Sequence, residues 1–270
     1  MPYRLVALDL DGTLKASGQA ISGRVAGVVQ RAIDAGIKVT LATGRMFQSA
    51  KPFARELDIY LPIICYQGAL IGHPLTGEVL WHRTIPLPLA RRVIEEIRVS
   101  GLHLNLYLND EYYVEDANEI AQRYSSVARV PLHVVDDLLC FLDREPSKIV
   151  AIGDEDKASA LAKHLQEIFG QALFVCRSFP HFCEVGHPEA TKSQALSWLA
   201  RELGIRQAEI MAVGDSANDV DMLRWAGLGV AIAGSPWEVI AAADLVTSGG
   251  PGDGVVELIE DLLQAGLLRP

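Results

Sequence analysis

The amino-acid sequence predicts an α/β fold, in which a doubly wound, Rossmann-like parallel sheet forms the core and an α+β cap domain is inserted into it. Two observations lead to this prediction. Toward both ends of the chain, short apolar runs alternate with segments of helical periodicity, which is typical of βαβ units in a parallel sheet. Between these parts the pattern changes to short alternating runs, as in a separate mixed sheet. We therefore expect a discontinuous core from residues 1–81 and 186–270 and a cap domain from residues 82–185.

The first part of the core has three predicted strands and two predicted helices. Short apolar runs predict the strands, and apolar residues that recur every three to four positions predict the helices. Because proline cannot donate a backbone hydrogen bond, Pro52 is expected to interrupt or bend the second helix. The strands are expected at 4–8, 37–42 and 62–66, and the helices at 21–35 and 47–57.

The inserted segment opens with an amphipathic helix and continues with short strands and a further helix. Its helices are expected at 87–100 and 156–169, and its strands at 103–108, 112–115, 133–135, 148–152, 173–176 and 182–185. The core pattern then returns, with helices at 190–203, 219–226 and 254–263 and strands at 210–213 and 229–233.

The composition is that of a globular protein and restricts its partners. Half of the 270 residues are hydrophobic and 21% are charged, so a substantial core can be buried. The net charge of −10 argues against nucleic acid or an anionic membrane surface as the main partner. No apolar run is long enough to span a bilayer, and the N-terminal apolar run meets the charges of Asp9 and Asp11, unlike a signal peptide.

The cysteines fit a cytoplasmic protein with reduced thiols. None of them forms a C-x-x-C pair, and a chain of this length does not need disulfides to fold. They are Cys65, Cys140, Cys176 and Cys183. The sequence does not indicate an oligomeric state.

Carboxylates follow two of the predicted core strands. Ligands of open parallel sheets bind beyond the carboxyl ends of the strands, so these positions are candidate site residues. Asp9 and Asp11, in D-L-D-G-T, would repel each other unless a cation lies between them or one is protonated. Gly12 permits an unusual turn and a close approach of the backbone to a ligand. Asp215 and Asp219, in G-D-S-A-N-D, can complete an oxygen cage for a hard cation such as Mg²⁺.

Two further positions supply groups for an anion. Thr43, in L-A-T-G-R, is expected at a strand end just before a helix, where a hydroxyl and free amides suit an anion. Lys192 is expected at a helix start, which the helix dipole disfavours unless the side chain reaches carboxylates and phosphate.

Each of the four segments has an ordinary structural explanation when it is taken alone. These explanations are an acidic turn, a helix N-cap, an exposed lysine and an N-capped acidic helix. Together, the four segments supply carboxylates for a metal and a hydroxyl and a cation for phosphate oxygens, which are the requirements of phosphoryl transfer.

The order D-L-D-G-T, L-A-T-G-R, a lysine and G-D-S-A-N-D resembles the four motifs of the haloacid dehalogenase (HAD) superfamily. The position and size of the insertion resemble those of its Cof-type, or type IIB, phosphatases. The resemblance covers essentially the whole chain. It implies a magnesium-dependent phosphatase with a small phosphorylated metabolite as its partner.

The resemblance also implies a role for each matching residue. Asp9 would be the nucleophile that forms an aspartyl-phosphate, and Asp11 would be the general acid and then the general base. Thr43 and Lys192 would hold the phosphoryl group. Mg²⁺ would be bound by Asp9, the backbone carbonyl of Asp11 and Asp215, with Asp219 as a further ligand or a supporting carboxylate. The other implied phosphate- or substrate-binding residues are Gly12, Gly44, Arg45, Gln67 and Asn218.

Two segments depart from the family pattern. Gln67 stands where family members often carry asparagine, in a segment that usually reads Asn-Gly-Ala. Residues 189–193 read E-A-T-K-S, where family members often have G-V-S-K-G, so both glycines are lost around Lys192. We expect these departures to alter local contacts without removing a carboxylate or the lysine.

The expected reaction is hydrolysis of a small phosphate monoester, such as a sugar phosphate or a phosphorylated cofactor, with the cap domain as a lid. The alternatives are a phosphotransferase or phosphomutase acting on a sugar phosphate, and a non-catalytic protein that binds a phosphorylated metabolite.

Three other features attract weaker functional hypotheses. Gly153-Asp154 is expected to be a helix-start turn, and residues 249–254 a turn before the last helix. Tyr107, Tyr112 and Tyr113 are expected to face a substrate or to pack within the cap domain.

Overall fold

The computed structural model describes residues 2–269, and the chain divides into two compact units. The first unit contains residues 2–45, Ala50–Leu80 and residues 191–269. The second unit contains Met46–Ser49 and Trp81–Ala190. Among the described residues, no helix is both long and apolar enough to cross a membrane.

The secondary structure of residues 2–269 comprises fourteen strands and ten α-helices. The strands are β1 (Leu5–Leu8), β2 (Lys38–Leu41), β3 (Ile63–Cys65), β4 (Leu70–Gly72), β5 (Val79–His82), β6 (His103–Leu108), β7 (Glu111–Val114), β8 (Leu132–Val134), β9 (Lys148–Ile152), β10 (Phe174–Cys176), β11 (Phe182–Gly186), β12 (Ile210–Gly214), β13 (Leu228–Ala231) and β14 (Leu245–Val246). The helices are α1 (Gly23–Asp34), α2 (Phe47–Glu56), α3 (Leu87–Ser100), α4 (Glu119–Ala128), α5 (Leu138–Phe141), α6 (Glu155–Phe169), α7 (Lys192–Glu202), α8 (Val220–Trp225), α9 (Trp237–Ile240) and α10 (Asp253–Gln264).

A five-stranded parallel sheet forms the centre of the first unit, in the order β14-β13-β12-β1-β2. The central strand β1 is apolar and completely buried, as expected for a strand covered on both faces. Its register pairs Leu8 with Val213 of β12 and with Leu41 of β2. The carboxyl ends of these three neighbouring strands are therefore level with one another.

Helices of the first unit bury apolar stripes that are visible in the sequence. In α1, apolar residues at positions i, i+3, i+4 and i+7 are buried, and Ser22 caps the helix by accepting a hydrogen bond from the amide of Val25. Helix α10 packs against α1 and also buries one face. Helix α7 packs against α8.

A small three-stranded sheet, in the order β3-β4-β5 and with β3 and β4 antiparallel, adjoins the central sheet. Strand β3 continues the parallel arrangement, because Ala42 and Ile64 form a single parallel bridge next to β2. A short 3₁₀ turn, Tyr66–Gly68, connects β3 to β4. This connection places the turn beside the loop that follows β2.

The second unit is built on a six-stranded sheet in the order β10-β11-β9-β6-β7-β8. All neighbouring strands are antiparallel except β7 and β8, which are parallel and connected through α4. Helices α3 and α6 pack against each other and bury their apolar faces with residues of β6, β9 and β11. This α+β architecture is the one that the sequence predicts for the inserted segment.

The predicted α/β fold class is confirmed, and most predicted elements differ from the observed ones by one or two residues. The predictions omit β4, β5, β14, α4, α5 and α9. Most of these are four residues or shorter, so they show little periodicity, and α4 lacks a continuous apolar stripe. Helix α2 is not interrupted by Pro52, which lies inside it.

Candidate active site

The ends of the parallel strands bring acidic and basic side chains together. The amide of Asp9, directly after β1, donates to the carbonyl of Val213 at 3.0 Å, so Asp9 lies beside the end of β12. Asp215 follows β12 by one residue. Lys192 begins α7, yet its side chain is buried, and its Nζ donates to Asp9 Oδ1 at 2.7 Å and to Asp219 Oδ1 at 2.5 Å.

Asp219 holds the lysine and the loop after β12 in place. Its Oδ2 accepts hydrogen bonds from the amides of Asp215, at 3.1 Å, and Ser216, at 3.0 Å, while its Oδ1 faces Lys192. Asp219 is completely buried. Because both of its oxygens have donors, its geometry favours a supporting role over direct ligation. Asn218 accepts from the hydroxyl of Ser216 at 2.5 Å and completes the same loop.

The backbone at Gly12 and the side chain of Thr13 both lie against the carboxylate of Asp215. The hydroxyl of Thr13 donates to Asp215 Oδ1 at 2.8 Å. Gly12 has a φ of +95°, and a Cβ at this position would collide with the carboxylate of Asp215. Glycine is therefore required both by the backbone conformation and by the close approach.

Two carboxylates of this group, those of Asp9 and Asp215, are destabilised as anions. Burial raises the pKa of Asp9 well above its ordinary value, and the charges of Asp219 and Asp215 add to this, while Lys192 opposes it. Burial and the charge of Asp219 raise the pKa of Asp215 to about 6. Burial acts to lower the pKa of Lys192, but Asp219 and Asp9 outweigh it and raise the pKa. One lysine thus faces three acidic side chains.

The same group has the composition of a divalent cation site. Asp9, Asp215 and Asp219 each offer a ligand atom, and these atoms all lie within 4.8 Å of one another. Carboxylate oxygens are the ligands that Mg²⁺ prefers, and a cation would relieve the repulsion that adds to the effect of burial on the pKa values of Asp9 and Asp215. The residues present therefore fit a hard divalent metal.

Thr43 lies in the loop after β2, and this loop is fixed by backbone hydrogen bonds. Its amide donates to Ile64 at 2.9 Å, and its carbonyl accepts from the amide of Gln67 at 3.2 Å. Helix α2 begins only at Phe47, so Thr43 is not its N-cap, and its Oγ1 instead accepts from the amide of Arg45 at 3.3 Å. The start of α2 at Phe47 is as predicted, and only the alternative interpretation of Thr43 as a helix N-cap is wrong.

Gln67 is buried in the turn beside this loop. It has a φ of +59° and its neighbour Tyr66 a φ of +52°, both in the left-handed region that most residues avoid. The Gln67 side-chain amide fills the space that a Cβ of Gly44 would occupy, with Nε2 2.5 Å from that position. Among the described residues, its Oε1 has no hydrogen-bond partner. The glutamine therefore packs under the Thr43 loop.

Asp11 is paired differently from Asp9. Its carboxylate accepts from Arg45 through Nε at 2.5 Å and Nη2 at 2.9 Å, and from Lys15 Nζ at 2.5 Å. Burial acts to raise the pKa of Asp11, but the hydrogen bonds and charges of Arg45 and Lys15 outweigh it and lower the pKa. Arg45 and Lys15 both lie over the ring of Phe53, at 5.1 and 5.5 Å from its centroid.

The structure thus places the charged residues that the sequence singled out in two neighbouring groups within the first unit, while Thr43, Gly44 and Gln67 lie together in the loop after β2 and the turn beside it. The first group contains Asp9, Lys192, Asp215 and Asp219, and the second contains Asp11 and Arg45. Sequence reasoning missed Lys15 and Thr13. A lysine that directly follows the apolar Leu14, four residues after an aspartate, is the signal that would have pointed to Lys15.

The weaker candidates have structural roles. Asp154 caps α6 by accepting from the amide of Lys157, and residues 249–254 form the turn that leads into α10. Tyr107 and Tyr112 are fully buried in the second unit and stack at 5.7 Å, and Tyr112 donates to Asn105 at 2.9 Å.

Comparison with known proteins identifies the family. Residues 6–259 match the model of the haloacid dehalogenase-like hydrolases. YxeH of Bacillus subtilis is 30% identical over 97% of this chain and 99% of its own length. A haloacid dehalogenase-like hydrolase from Bacteroides thetaiotaomicron has a similar structure, with a TM-score of 0.87 and 29% identity over 96% of this chain and 99% of that chain. The chain belongs to the haloacid dehalogenase-like hydrolases.

Other relatives carry named phosphatase activities. The phosphoglycolate phosphatase of Archaeoglobus fulgidus is 29% identical over 98% of both chains. The 5-amino-6-(5-phospho-D-ribitylamino)uracil phosphatase YitU of Bacillus subtilis is 27% identical over 96% of this chain and 97% of its own length. Within its family, the present protein is a phosphatase, in agreement with the expectation from its motifs.

Proposed function

We propose that the protein hydrolyses a small phosphate monoester with Mg²⁺, through an aspartyl-phosphate on Asp9. The arrangement of Asp9 carries this proposal. Its carboxylate lies at the end of a central strand, is held by Lys192 at 2.7 Å, and shares a cluster of oxygen ligands with Asp215. A carboxylate nucleophile needs its charge balanced before it can approach a phosphate, and this arrangement provides for that balance.

The first half of the reaction transfers the phosphoryl group to the enzyme. A carboxylate oxygen of Asp9 attacks phosphorus while the bond between phosphorus and the leaving-group oxygen breaks. Lys192 holds the nucleophile and a phosphoryl oxygen, and the hydroxyl of Thr43 holds another. Asp11 gives a proton to the leaving-group oxygen. The approach of a phosphate dianion raises the pKa of a nearby carboxyl and so opposes the effect of Arg45 and Lys15 on Asp11.

The second half regenerates the enzyme. Asp11, now a carboxylate, takes a proton from a water molecule while the oxygen of that water attacks phosphorus. The bond between phosphorus and Asp9 breaks, and inorganic phosphate leaves. Asp11 therefore has to remain in the same place through both halves of the reaction.

The metal is proposed to be held by Asp9, Asp215 and the backbone carbonyl of Asp11. When bound, Mg²⁺ supplies charge neutralisation for the carboxylate and the phosphoryl group. Asp219 supports the site through Lys192 and the loop amides, because its two oxygens already have donors.

A small phosphorylated metabolite is the proposed substrate. Two of the relatives with named substrates act on phosphoglycolate and on a phosphorylated ribitylaminouracil, which are both phosphate monoesters of small molecules. We propose the second unit as a cap that selects the leaving group and excludes water. Sugar phosphates and phosphorylated cofactors are the compounds to test first.

The experiment is phosphate release from a panel of sugar phosphates, nucleotides and phosphorylated cofactors, with Mg²⁺ or with EDTA. We expect metal-dependent release that Asp9→Asn abolishes, since an amide cannot serve as the nucleophile. Asp156→Asn, which neutralises an exposed carboxylate of α6, is the matched control and should retain full activity.

Three outcomes would contradict parts of the proposal. Metal-dependent turnover in a clean Asp9→Asn preparation would overturn the assignment of the nucleophile. An isomeric phosphate in place of inorganic phosphate would show a mutase. No turnover of any compound, together with tight binding of one of them, would show a binding protein.

A further inference from the structure

Lys15 is a buried cation that the chain places beside Asp11. Only 4% of the residue is exposed, and its Nζ lies 2.5 Å from Asp11 Oδ1. The turn between them closes on itself, because the amide of Gly12 donates to the carbonyl of Lys15 at 2.8 Å and Asp11 and Lys15 form a single β-bridge. The position of the lysine is therefore set by the backbone that also carries Asp11.

Burying the charge of Lys15 costs free energy, and a contribution to stability does not by itself explain why a second cation is placed here. A charged group transferred from water into a protein is unfavourable unless it is paired, and Asp11 already has a bidentate partner in Arg45. The Asp11 group thus holds two cations against one anion. A second cation at a carboxylate that is already paired indicates a role in the site.

The geometry shows what the second cation adds. An ionised carboxylate has about four lone-pair positions, and Arg45 and Lys15 donate to three of them. Arg45 alone binds both carboxylate oxygens from one side, in a bidentate pair. Lys15 approaches Oδ1 from the turn after β1, so that the two cations fix the rotation of the side chain as well as its position. Phe53, under both cations, supports them from one side.

We propose that Lys15 is a positioning residue for the reaction, which together with Arg45 fixes the carboxylate of Asp11 in the orientation that transfers a proton to and from the reacting oxygens. This inference rests on the proposed function, because it takes Asp11 as the general acid and base. Lys15 contacts the site through the carboxylate of Asp11, while Asp9, Lys192 and Asp215 belong to the other charge group.

Leaving-group dependence tests the proposal. An alkyl phosphate needs a proton on its leaving oxygen, whereas p-nitrophenyl phosphate releases an acidic phenol that needs little help. Because all substrates share the second half of the reaction, the compared quantity is the rate of leaving-group release in a single turnover. For Lys15→Met we expect this rate to fall roughly tenfold or more for the alkyl phosphate hydrolysed fastest in the panel, within the range of general acid catalysis. For p-nitrophenyl phosphate we expect this rate to change by at most about twofold.

Two control variants separate positioning from folding and from loss of charge. Lys15→Arg keeps a donor to Asp11 and should restore most of the alkyl phosphate activity. Lys163→Met removes an exposed lysine of α6 and should leave both substrates unaffected. An equal loss with both substrates in Lys15→Met, or no loss with either, would overturn the positioning role.

Asp11→Asn, measured in parallel, shows which proposal fails. If Asp11→Asn spares p-nitrophenyl phosphate selectively while Lys15→Met does not, the inference about Lys15 is wrong and the function of Asp11 stands. If Asp11→Asn affects both substrates equally, the assignment of Asp11 as general acid is itself wrong.

Discussion

The buried lysines of the candidate site each lie beside a carboxylate of opposite charge. Lys192 pairs with Asp9 and Asp219, and Lys15 pairs with Asp11. Breaking a buried pair costs far more than the pair contributes to stability, since it leaves one charge without water or a partner. The site residues are therefore also residues on which folding depends.

Removal of Lys192 should affect activity and stability together. In Lys192→Met, Asp9 and Asp219 lose their shared cation, so we expect turnover to fall below detection and the free energy of unfolding without metal to fall by about 3 kcal/mol. Mg²⁺ should recover part of this stability, because it balances the same carboxylates. Urea unfolding with and without Mg²⁺ measures both effects. If Lys192→Met were as stable as Lys163→Met in EDTA, the buried pairing would be wrong.

Short turns and strand pairs, at the level of elements, hold the site residues in place. The turn Tyr66–Gly68 is the clearest example, because its amides bind the carbonyls of Thr43 and Arg45 on one side. On the other side, Gly68 lies so close to the start of α7 that a Cβ would collide with the carbonyl of Thr191. One turn thus contacts both the Thr43 loop and the helix that carries Lys192.

The replacement Gly68→Ala should therefore damage the site as well as the fold. Gly18 is the matched control, because it also has a positive φ, +77° against +104° for Gly68, but nothing lies within 4 Å of its Cβ position. Gly18→Ala should cost only the left-handed conformation, about 1–2 kcal/mol. Gly68→Ala should cost a further 1–3 kcal/mol, roughly, for the collision, and should lower kcat. Equal melting temperatures for the two variants would contradict this account.

In the second unit, a buried ion pair connects strands β9 and β11. Lys148 Nζ lies 3.0 Å from Glu184 Oε2, and both side chains are less than one tenth exposed. Lys148→Met should lower the free energy of unfolding by about 3 kcal/mol, since Glu184 stays buried without its cation. The double variant Lys148→Met/Glu184→Leu should lose less than the single one, because no charge is then left unpaired. A double variant that is less stable than Lys148→Met would contradict the prediction.

The whole molecule should respond to Mg²⁺ in a pH-dependent way. Without metal the pKa of Asp215 is raised to about 6, so its carboxyl binds a proton more tightly when folded than when unfolded. Asp215 therefore stabilises the metal-free protein as pH falls from about 6 toward its ordinary pKa of 3.8. Metal binding has the opposite dependence, because the proton has to leave first.

Thermal unfolding with and without Mg²⁺ at several pH values checks this prediction. At 100 times its Kd, a metal that binds only the folded protein adds about 2.7 kcal/mol of stability. We expect this gain to be present at pH 8 and to disappear as pH falls through about 6. Asp215→Asn should remove most of it at every pH. A gain that is independent of pH, or that survives in Asp215→Asn, would show that the metal binds elsewhere.

Much of the fold and of the site composition could be predicted from the sequence. Apolar runs and helical stripes are local features, so strands such as β6 and β9 and helix α3 have the expected boundaries. Because parallel strands end at the same edge of a sheet, Asp9, Thr43 and Asp215 could be expected to meet. The boundaries of the cap domain, residues 82–185, follow from the change in hydrophobic pattern along the sequence. Both these boundaries and the role of the domain as a cap stay predictions.

Only the tertiary structure decided how these groups pair. The hydroxyl of Thr13 meets a carboxylate 202 residues away, and Lys192 meets one 183 residues away. Such contacts depend on the direction in which each buried side chain points, and this direction is set by packing between distant segments. The sequence by itself determined which chemical groups stand at the strand ends, because local hydrophobic pattern defines those ends. The structure decided that Asp219 supports Lys192 and that Asp11 is held by two cations, because burial and orientation arise only when the segments pack together.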